Sequence, residues 1–332
     1  APCVPACPTS AMFARHDGII DFDKSSCIGC KACIAACPYD AIFINPEDKS
    51  AEKCNFCAHR IDVGLEPACV VVCPTQAILV GDMTDPLSEV NQIIARQPVT
   101  VRKPEKDTRP KVHYKGATNM TLDPLAAKRP EGGLFMWSEQ GNDPHKVTSG
   151  HPRSNSSSAA AVLSYDVPHN APWDWRVSLY TWTKSISAGA YIVPGILLLL
   201  GHMDVNSPVW TIATPLFGLT LLAVTGGLLI SDLEHPERFY MIFTRSQWNS
   251  WLVRGGIVIG AYGLVLFIHA LLSWSGEHAL LSNIAWAGLP VAVMTSVYTA
   301  YLFAQAKARD LWQNPLLPAH LLVQSVVAGA GV

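Results

Sequence analysis

Apolar residues are spaced differently in the two halves of this chain. Up to about residue 117 they come in runs of three or four cut by Asp-Gly and Pro turns. Residues 12–15 and 19–22 flank His16-Asp17-Gly18 and predict a hairpin, while 42–45 and 76–80, each after a Cys-Pro corner, predict further short strands. Residues 118–170 mix Pro, Gly, Ser and charge, culminating in Ser154-Asn155-Ser156-Ser157-Ser158, which buries too little apolar surface to fold and reads as a linker. Beyond Trp173 come five apolar segments, at 179–200, 209–230, 252–274, 284–303 and from 316 onward. At a helical rise, each of the first four spans a hydrocarbon core of roughly 30 Å. Trp210, Trp251, Trp274 and Trp286 stand at their ends, as membrane interfaces favour. The expected fold is an α+β ferredoxin-like domain over 1–117, a linker over 118–175 and an all-α multi-pass transmembrane bundle over 176–332, with five helices of which the last is cut.

Net charge near −2 over 332 residues excludes a dominant nucleic-acid footprint. All ten cysteines lie between Cys3 and Cys73, so the two halves also differ in chemistry. The chain starts without Met inside a cysteine motif and stops inside an apolar run, which reads as a fragment truncated at both ends.

Cys27, Cys30, Cys33 and Cys37-Pro38 have the spacing C-x2-C-x2-C-x3-C-P of bacterial ferredoxin runs, in which three thiolates hold one [4Fe–4S] cluster and the fourth serves its neighbour. Zinc sites are more often two separated C-x2-C pairs, and thiols this dense suit a metal better than disulfides. Cys3-x3-Cys7-Pro8 reads as the tail of an earlier run, and Cys54, Cys57, Cys69 and Cys73-Pro74 as a third with an insertion. Cross-ligation then gives Cys27, Cys30 and Cys33 the fourth ligand Cys7, and returns Cys37 to the cluster of Cys3. Only the first set is complete in this fragment. Cys54, Cys57 and Cys69 hold three corners of another cluster, and Cys73 serves one whose other ligands lie upstream of Ala1.

Cys54-Asn-Phe-Cys-Ala-His-Arg60, Pro67-Ala-Cys-Val70 and Val72-Cys-Pro-Thr-Gln-Ala-Ile78 resemble the four-cluster electron-transfer subunits of molybdopterin oxidoreductases of the dimethyl sulfoxide and polysulfide reductase group, as do the segments 81–90 and 101–110. The resemblance implies a wire of clusters between a molybdopterin-type catalytic subunit and the membrane, with no substrate pocket in this half. His59 and Arg60, beside Cys57, read either as tuning groups or as docking and surface residues. Pro168-His-Asn-Ala-Pro-Trp-Asp-Trp175, the segment 180–189 and Asp232-Leu-Glu-His-Pro-Glu-Arg-Phe239 resemble the NrfD-like membrane subunit of polysulfide reductase. That resemblance implies a quinone or quinol partner and no haem. Topology gathers Tyr180, Lys184, Asp232, Glu234, His235, Arg238 and Arg254 at the membrane face nearer the Fe–S domain, as a candidate quinone site.

Three rival readings stay open. His202 and His269 sit near one membrane face as haem ligands would in a cytochrome b anchor. Intramembrane Lys184, Arg254 and His269 fit an energy-converting scaffold of the alternative complex III type, though each also fits snorkelling or pairing at a helix end. A zinc-stabilised anchor is the third. For sidedness, the loops after the second and fourth spans carry Arg238, Arg245, Lys307 and Arg309, whereas 202–208 and 275–283 carry no Lys or Arg. The positive-inside rule places the Fe–S domain in the cytoplasm, while the resemblance implies an exported one, in either case on an inner membrane.

Overall fold

The computed structural model describes residues 1–122 and 173–332. Two compact units form: Ala1–Asn55 together with Ala171–Val332, and Phe56–Asn170.

In the first unit, the cysteine-rich segment is built from helix α1 (Cys3–Ala6), strands β1 (Met12–Ala14) and β2 (Ile20–Phe22), helix α2 (Ala32–Ala36), and strands β3 (Ile42–Ile44) and β4 (Ala51–Lys53). The expected hairpin forms, with Met12 opposite Phe22 and Ala14 opposite Ile20. Its turn is stabilised by the Asp17 carboxylate, which accepts from Ile19 N (3.0 Å), and by Gly18 at φ +84°. Residues 42–45 pair with a strand the pattern did not single out, Ala51–Lys53, across a turn in which Asp48 accepts from Ser50 N. The two hairpins enclose a small core of Met12, Ile42, Ala51 and the cysteines Cys3, Cys7, Cys27, Cys33 and Cys37.

The second unit holds α3 (Ala58–Ile61), α4 (Ala68–Val71), α5 (Glu89–Arg96), β5 (Val99–Thr100) paired with β6 (Tyr114–Lys115), and α6 (Asn119–Leu122). Ser88 caps α5 by accepting from Asn91 N (3.1 Å). The strand expected at 76–80 does not form. Gln76 takes φ +50°, Ile78 and Leu79 are exposed, and no strand lies alongside among the described residues, so the segment has neither ladder nor core to hold it extended. The expected linker lies for the most part at 123–172, outside the described residues.

The rest of the first unit is helical. Asp174 caps α7 (Trp175–Leu199) through Arg176 N (2.8 Å); a π-helical turn at Val209–Ala213 runs into α8 (Thr214–Ser231); α9 (Met241–Thr244) lies in the loop before α10 (Trp251–Ser275), and α11 (His278–Ala304) and α12 (Leu317–Ala330) follow. Among the described residues, four helices are long and apolar enough to cross a membrane, Trp175–Leu199, Val209–Ser231, Trp251–Ser275 and Leu280–Ala304, and the fifth apolar segment is the shorter Leu317–Ala330. Outward faces stay apolar: Leu216, Leu264, Phe267 and Trp274 are exposed, which suits lipid rather than water.

Helix α7 is the hub, packed against α8, α11 and α12, while α10 lies against α8 and α11. The approach of α7 to α12 is close: a Cβ at Gly189 would overlap the carbonyl oxygen of Ser325, and one at Gly329 would overlap the backbone of Gly189. Small residues at such a crossing let backbones meet where no apolar driving force operates.

Candidate functional site

A pocket in the cysteine-rich segment is lined by Cys7, Cys27, Cys30 and Cys33, together with Pro8, Met12, Phe22, Gly29 and Ala51. Short helices and αL turns place the sulfurs. Lys31, at φ +61°, starts α2 and turns Cys33 inward, and Gly29, at φ +68°, lets residues 27–30 wrap the pocket. Backbone N–H groups point at the sulfurs: Gly29 and Ala51 donate to Cys27 Sγ (3.4 and 3.3 Å), and Met12 donates to Cys7 Sγ (3.4 Å). Burial pushes the Cys33 thiol well above its ordinary value, and the sulfurs of Cys30, Cys7 and Cys27 push it further. The Cys30 thiol is raised by the same two causes.

Four sulfurs repelling one another around a shared space fit a multi-iron cluster, which takes thiolates at its corners and neutralises them. Among the described residues, no three His, Cys, Asp or Glu side chains converge tightly on a single point. Cys3 and Cys37 neighbour each other: burial raises the Cys3 thiol first and the Cys37 sulfur second. Cys54, at the edge of the first unit, is exposed. In the second unit Cys69 is exposed and Cys57 and Cys73 are half-buried. The Cys73 thiol is held below its ordinary value by Ala77 N–H (3.2 Å) and the Thr75 hydroxyl. Arg60 donates to Glu66 O (2.8 Å).

The loop that carries Cys27 and Cys30 is bound to the membrane half carbonyl by carbonyl. Arg238 donates to Cys27 O (3.1 Å) and Lys24 O (3.0 Å), His235 N to Ile28 O (3.2 Å), Glu234 N to Gly29 O (3.5 Å), and Trp173 Nε1 to Cys30 O (3.1 Å). Around it, Arg245 meets Ser26 Oγ, Gln247 N donates to Pro8 O (2.8 Å) and Ser250 Oγ to Ala6 O (3.0 Å). The His235 ring bridges Asp48 O and Glu237 (both 2.9 Å).

The seven side chains expected at a quinone therefore divide. Glu234, His235 and Arg238 hold the cysteine loop, and Glu234 also pairs with Lys31 (3.0 Å). Arg254 is exposed, donating to Trp248 O (2.8 Å) with its guanidinium 5.0 Å from the Trp251 ring. Tyr180, Lys184 and Asp232 are buried. Asp232 ends α8 beneath Lys31, whose Nζ reaches its carbonyl (3.4 Å) and its carboxylate (3.8 Å). Burial raises the Asp232 carboxyl, with Lys31 opposing. Lys184, 1% exposed within a membrane-length helix, donates to Ser296 O (3.2 Å) and Thr299 Oγ1 (2.5 Å) and lies 4.5 Å from the Tyr298 ring centroid. No carboxylate pairs with it among the described residues. Sequence reading missed Ser296, Tyr298 and Thr299; their signal is Thr295-Ser296-Val297-Tyr298-Thr299, a polar patch inside an apolar span.

Deeper in the bundle, Thr183 and Thr225 share a hydrogen bond (2.8 Å), Ser187 donates to Gly218 O (2.9 Å), Tyr262 OH to Ser187 O (2.8 Å), and Tyr191 OH to Ile284 O (3.0 Å). His269 lies against Trp210 (4.5 Å between rings) and edge-on to Tyr191 (5.9 Å). Trp210 Nε1 and Ser273 Oγ are buried without partners among the described residues, and His269 is buried against the Trp210 backbone with no side-chain hydrogen bond among them. His202, by contrast, is exposed in the turn after α7.

Residues 1–83 match the family described as a 4Fe–4S dicluster domain, and residues 164–332, just over half of the chain, match polysulphide reductase, NrfD. Similarity extends to the B subunit of tetrathionate reductase from Salmonella typhimurium (46% identical over 129 residues, 38% of this chain and 52% of that one) and to the B component of polysulfide reductase from Wolinella succinogenes (47% over 112 residues, 33% and 59%). It extends also to protein NrfC of Escherichia coli (44% over 115 residues, 34% and 52%). The chain thus spans little more than half the length of these curated relatives. With a 4Fe–4S domain at its start and membrane-length helices carrying the larger match, the chain therefore belongs to the polysulphide reductase NrfD family.

Proposed function

We propose that this chain passes single electrons between a molybdopterin-type catalytic subunit and the quinone pool, through [4Fe–4S] clusters held by Cys3, Cys7, Cys27, Cys30, Cys33, Cys37, Cys54, Cys57, Cys69 and Cys73. The observation that carries the reading is the seating of the four-cysteine pocket directly on the membrane half, through four consecutive carbonyls of its loop. A bound cluster supplies a one-electron couple. The protein's part is to hold the thiolates, direct N–H groups at their sulfurs and keep the loop against the helices. On the membrane side, Tyr180, Lys184 and Asp232, with Thr299, form a buried polar group just beneath that loop, and they are the part of the expected set fit to hold a quinone head group. In this reading Lys184 would donate to a carbonyl that gains negative charge on reduction, and Asp232 would exchange the proton that reduction takes up. The test uses the full chain in detergent with its iron reconstituted. Clusters reduced anaerobically should be reoxidised by a short-chain quinone analogue, and reduced clusters left unchanged by the quinone would overturn the reading.

A second reading, that the same helices also move protons, is favoured by the buried polar side chains Thr183, Ser187, Tyr191, Tyr262 and His269 among α7, α8 and α10. Buried polar atoms without partners usually hold water, and a line of hydroxyls and water is what a proton needs. With the complex in proteoliposomes, His269→Phe is expected to lower the protons moved per electron while quinone-linked turnover persists. An unchanged ratio would remove this reading.

Sidedness gains a structural cause. Arg238 and Arg245 bind the cysteine loop, so their presence in that membrane loop is explained without any rule of insertion. Lys307 and Arg309 remain, against no Lys or Arg at 202–208 and 275–283, and they support a cytoplasmic Fe–S domain. Alkaline phosphatase fused after Gly201 is then expected to be active; an inactive phosphatase paired with a fluorescent cytoplasmic reporter at the same point would place the Fe–S domain outside.

A further inference from the structure

The cations around the cysteine loop are unequally neutralised. Lys24 pairs with Asp48 (2.8 Å) and Glu52 (3.2 Å), and Lys31 pairs with Glu234 (3.0 Å) and Asp232 (3.8 Å). Arg245 lies 3.8 Å from Asp23. Arg238 differs from all three. Its guanidinium donates to the carbonyl of Cys27, a residue that lines the pocket, and to Lys24 O beside it. The carboxylate it meets is Glu237, 3.7 Å from Nε and 62% exposed, which opposes the guanidinium only in part. Of the four, Arg238 is the one bonded to the backbone of a proposed cluster ligand.

The potential of an iron–sulfur cluster is set by its net charge, by hydrogen bonds to its sulfurs and by its exposure. Adding one electron adds one negative charge, so a fixed cation nearby stabilises the reduced form. We propose that Arg238 is a positioning residue that raises the reduction potential of the cluster held by Cys7, Cys27, Cys30 and Cys33. The inference rests on the cluster assignment above. It makes the potential of the cluster a property of the docked pair of segments, because the charge that sets it comes from the loop between α8 and α10. A cysteine-rich segment lifted off that loop would lose both the bond to Cys27 O and the charge behind it.

The test is a redox titration of the full chain followed by the electron paramagnetic resonance of the reduced cluster, with iron content measured on the same samples. Arg238→Gln is expected to lower the ratio of reduced to oxidised cluster at a fixed ambient potential roughly tenfold, a fall of about 59 mV for one electron. Arg238→Lys, which keeps the charge but not the planar fork, should recover part of that shift. Glu237→Gln should move the potential the opposite way, since it removes the opposing charge while its amide oxygen still serves His235. Full iron with an unshifted potential in Arg238→Gln overturns the inference. Should Arg238→Gln lose iron, Glu237→Gln decides, and a potential that fails to rise there overturns it equally. A wild-type chain that takes up no iron at this site removes the assignment on which the inference rests, and the inference with it.

Discussion

Serine in place of Cys30 is expected to strip one cluster from the chain, a loss of about four iron atoms and of one reduced-cluster signal. Electron delivery to quinone should fall to the level of the iron-free protein. Cys30 and its three pocket partners would be cross-linked through a bound cluster, which would neutralise the charge of their crowded thiolates. Metal-binding energy is folding energy in such sites, so the segment 1–55 should also become more susceptible to proteolysis. Cys7→Ser should produce the same loss although Cys7 lies twenty positions or more from the other three, because it lines the same pocket. Cys57→Ser, in the separate unit, should leave this signal in place. Retention of full iron and of the signal in both Cys30→Ser and Cys7→Ser would refute the ligand set.

Methionine in place of Lys184 is expected to lower quinone-linked turnover by about 10- to 100-fold with the clusters unaltered, the cost of a lost charge-assisted hydrogen bond converted to rate. A lysine within a membrane-length helix, 1% exposed and bonded among the described residues to a carbonyl, a hydroxyl and a ring face, is costly to keep unless function requires it. Methionine keeps the length of the stem and removes only the ammonium, so α7 should still pack. Tyr180→Phe should show a smaller loss. His235→Ala should act differently, because His235 bridges Asp48 O and Glu237 at the cysteine loop; its expected effect is on the stability and signal of the cluster rather than on quinone affinity. Normal turnover in Lys184→Met with intact clusters would move the quinone elsewhere.

Much of this protein was legible in its residues alone. The four membrane-length helices followed from unbroken apolar runs, because a helix in lipid must satisfy its own backbone and present apolar side chains outward, and both demands are written locally. The first hairpin was equally local, set by the Asp17-Gly18 turn. The proposed sharing of one cluster by Cys7, Cys27, Cys30 and Cys33 came from the spacing rule of ferredoxin runs, and the fold brings the four to the lining of one pocket. The strand expected at 76–80 did not form, since a strand needs a neighbour and no local pattern supplies one.

The structure alone decided the rest, wherever a side chain had two possible partners at similar sequence distance. Glu234, His235 and Arg238 looked like one polar cluster with Asp232, yet their backbone and side chains bind the carbonyls of residues 24, 27, 28, 29 and 48, while Asp232 faces inward beneath Lys31. Seven residues of sequence cannot announce which of them will meet a loop two hundred positions away. Lys184 was visible as a misplaced charge, but its partners on α11 depended on how two helices rotate about their axes. That rotation is fixed by close packing, here by the glycines that bring α7 and α12 into backbone contact, and packing is a property of the assembled bundle rather than of any one segment.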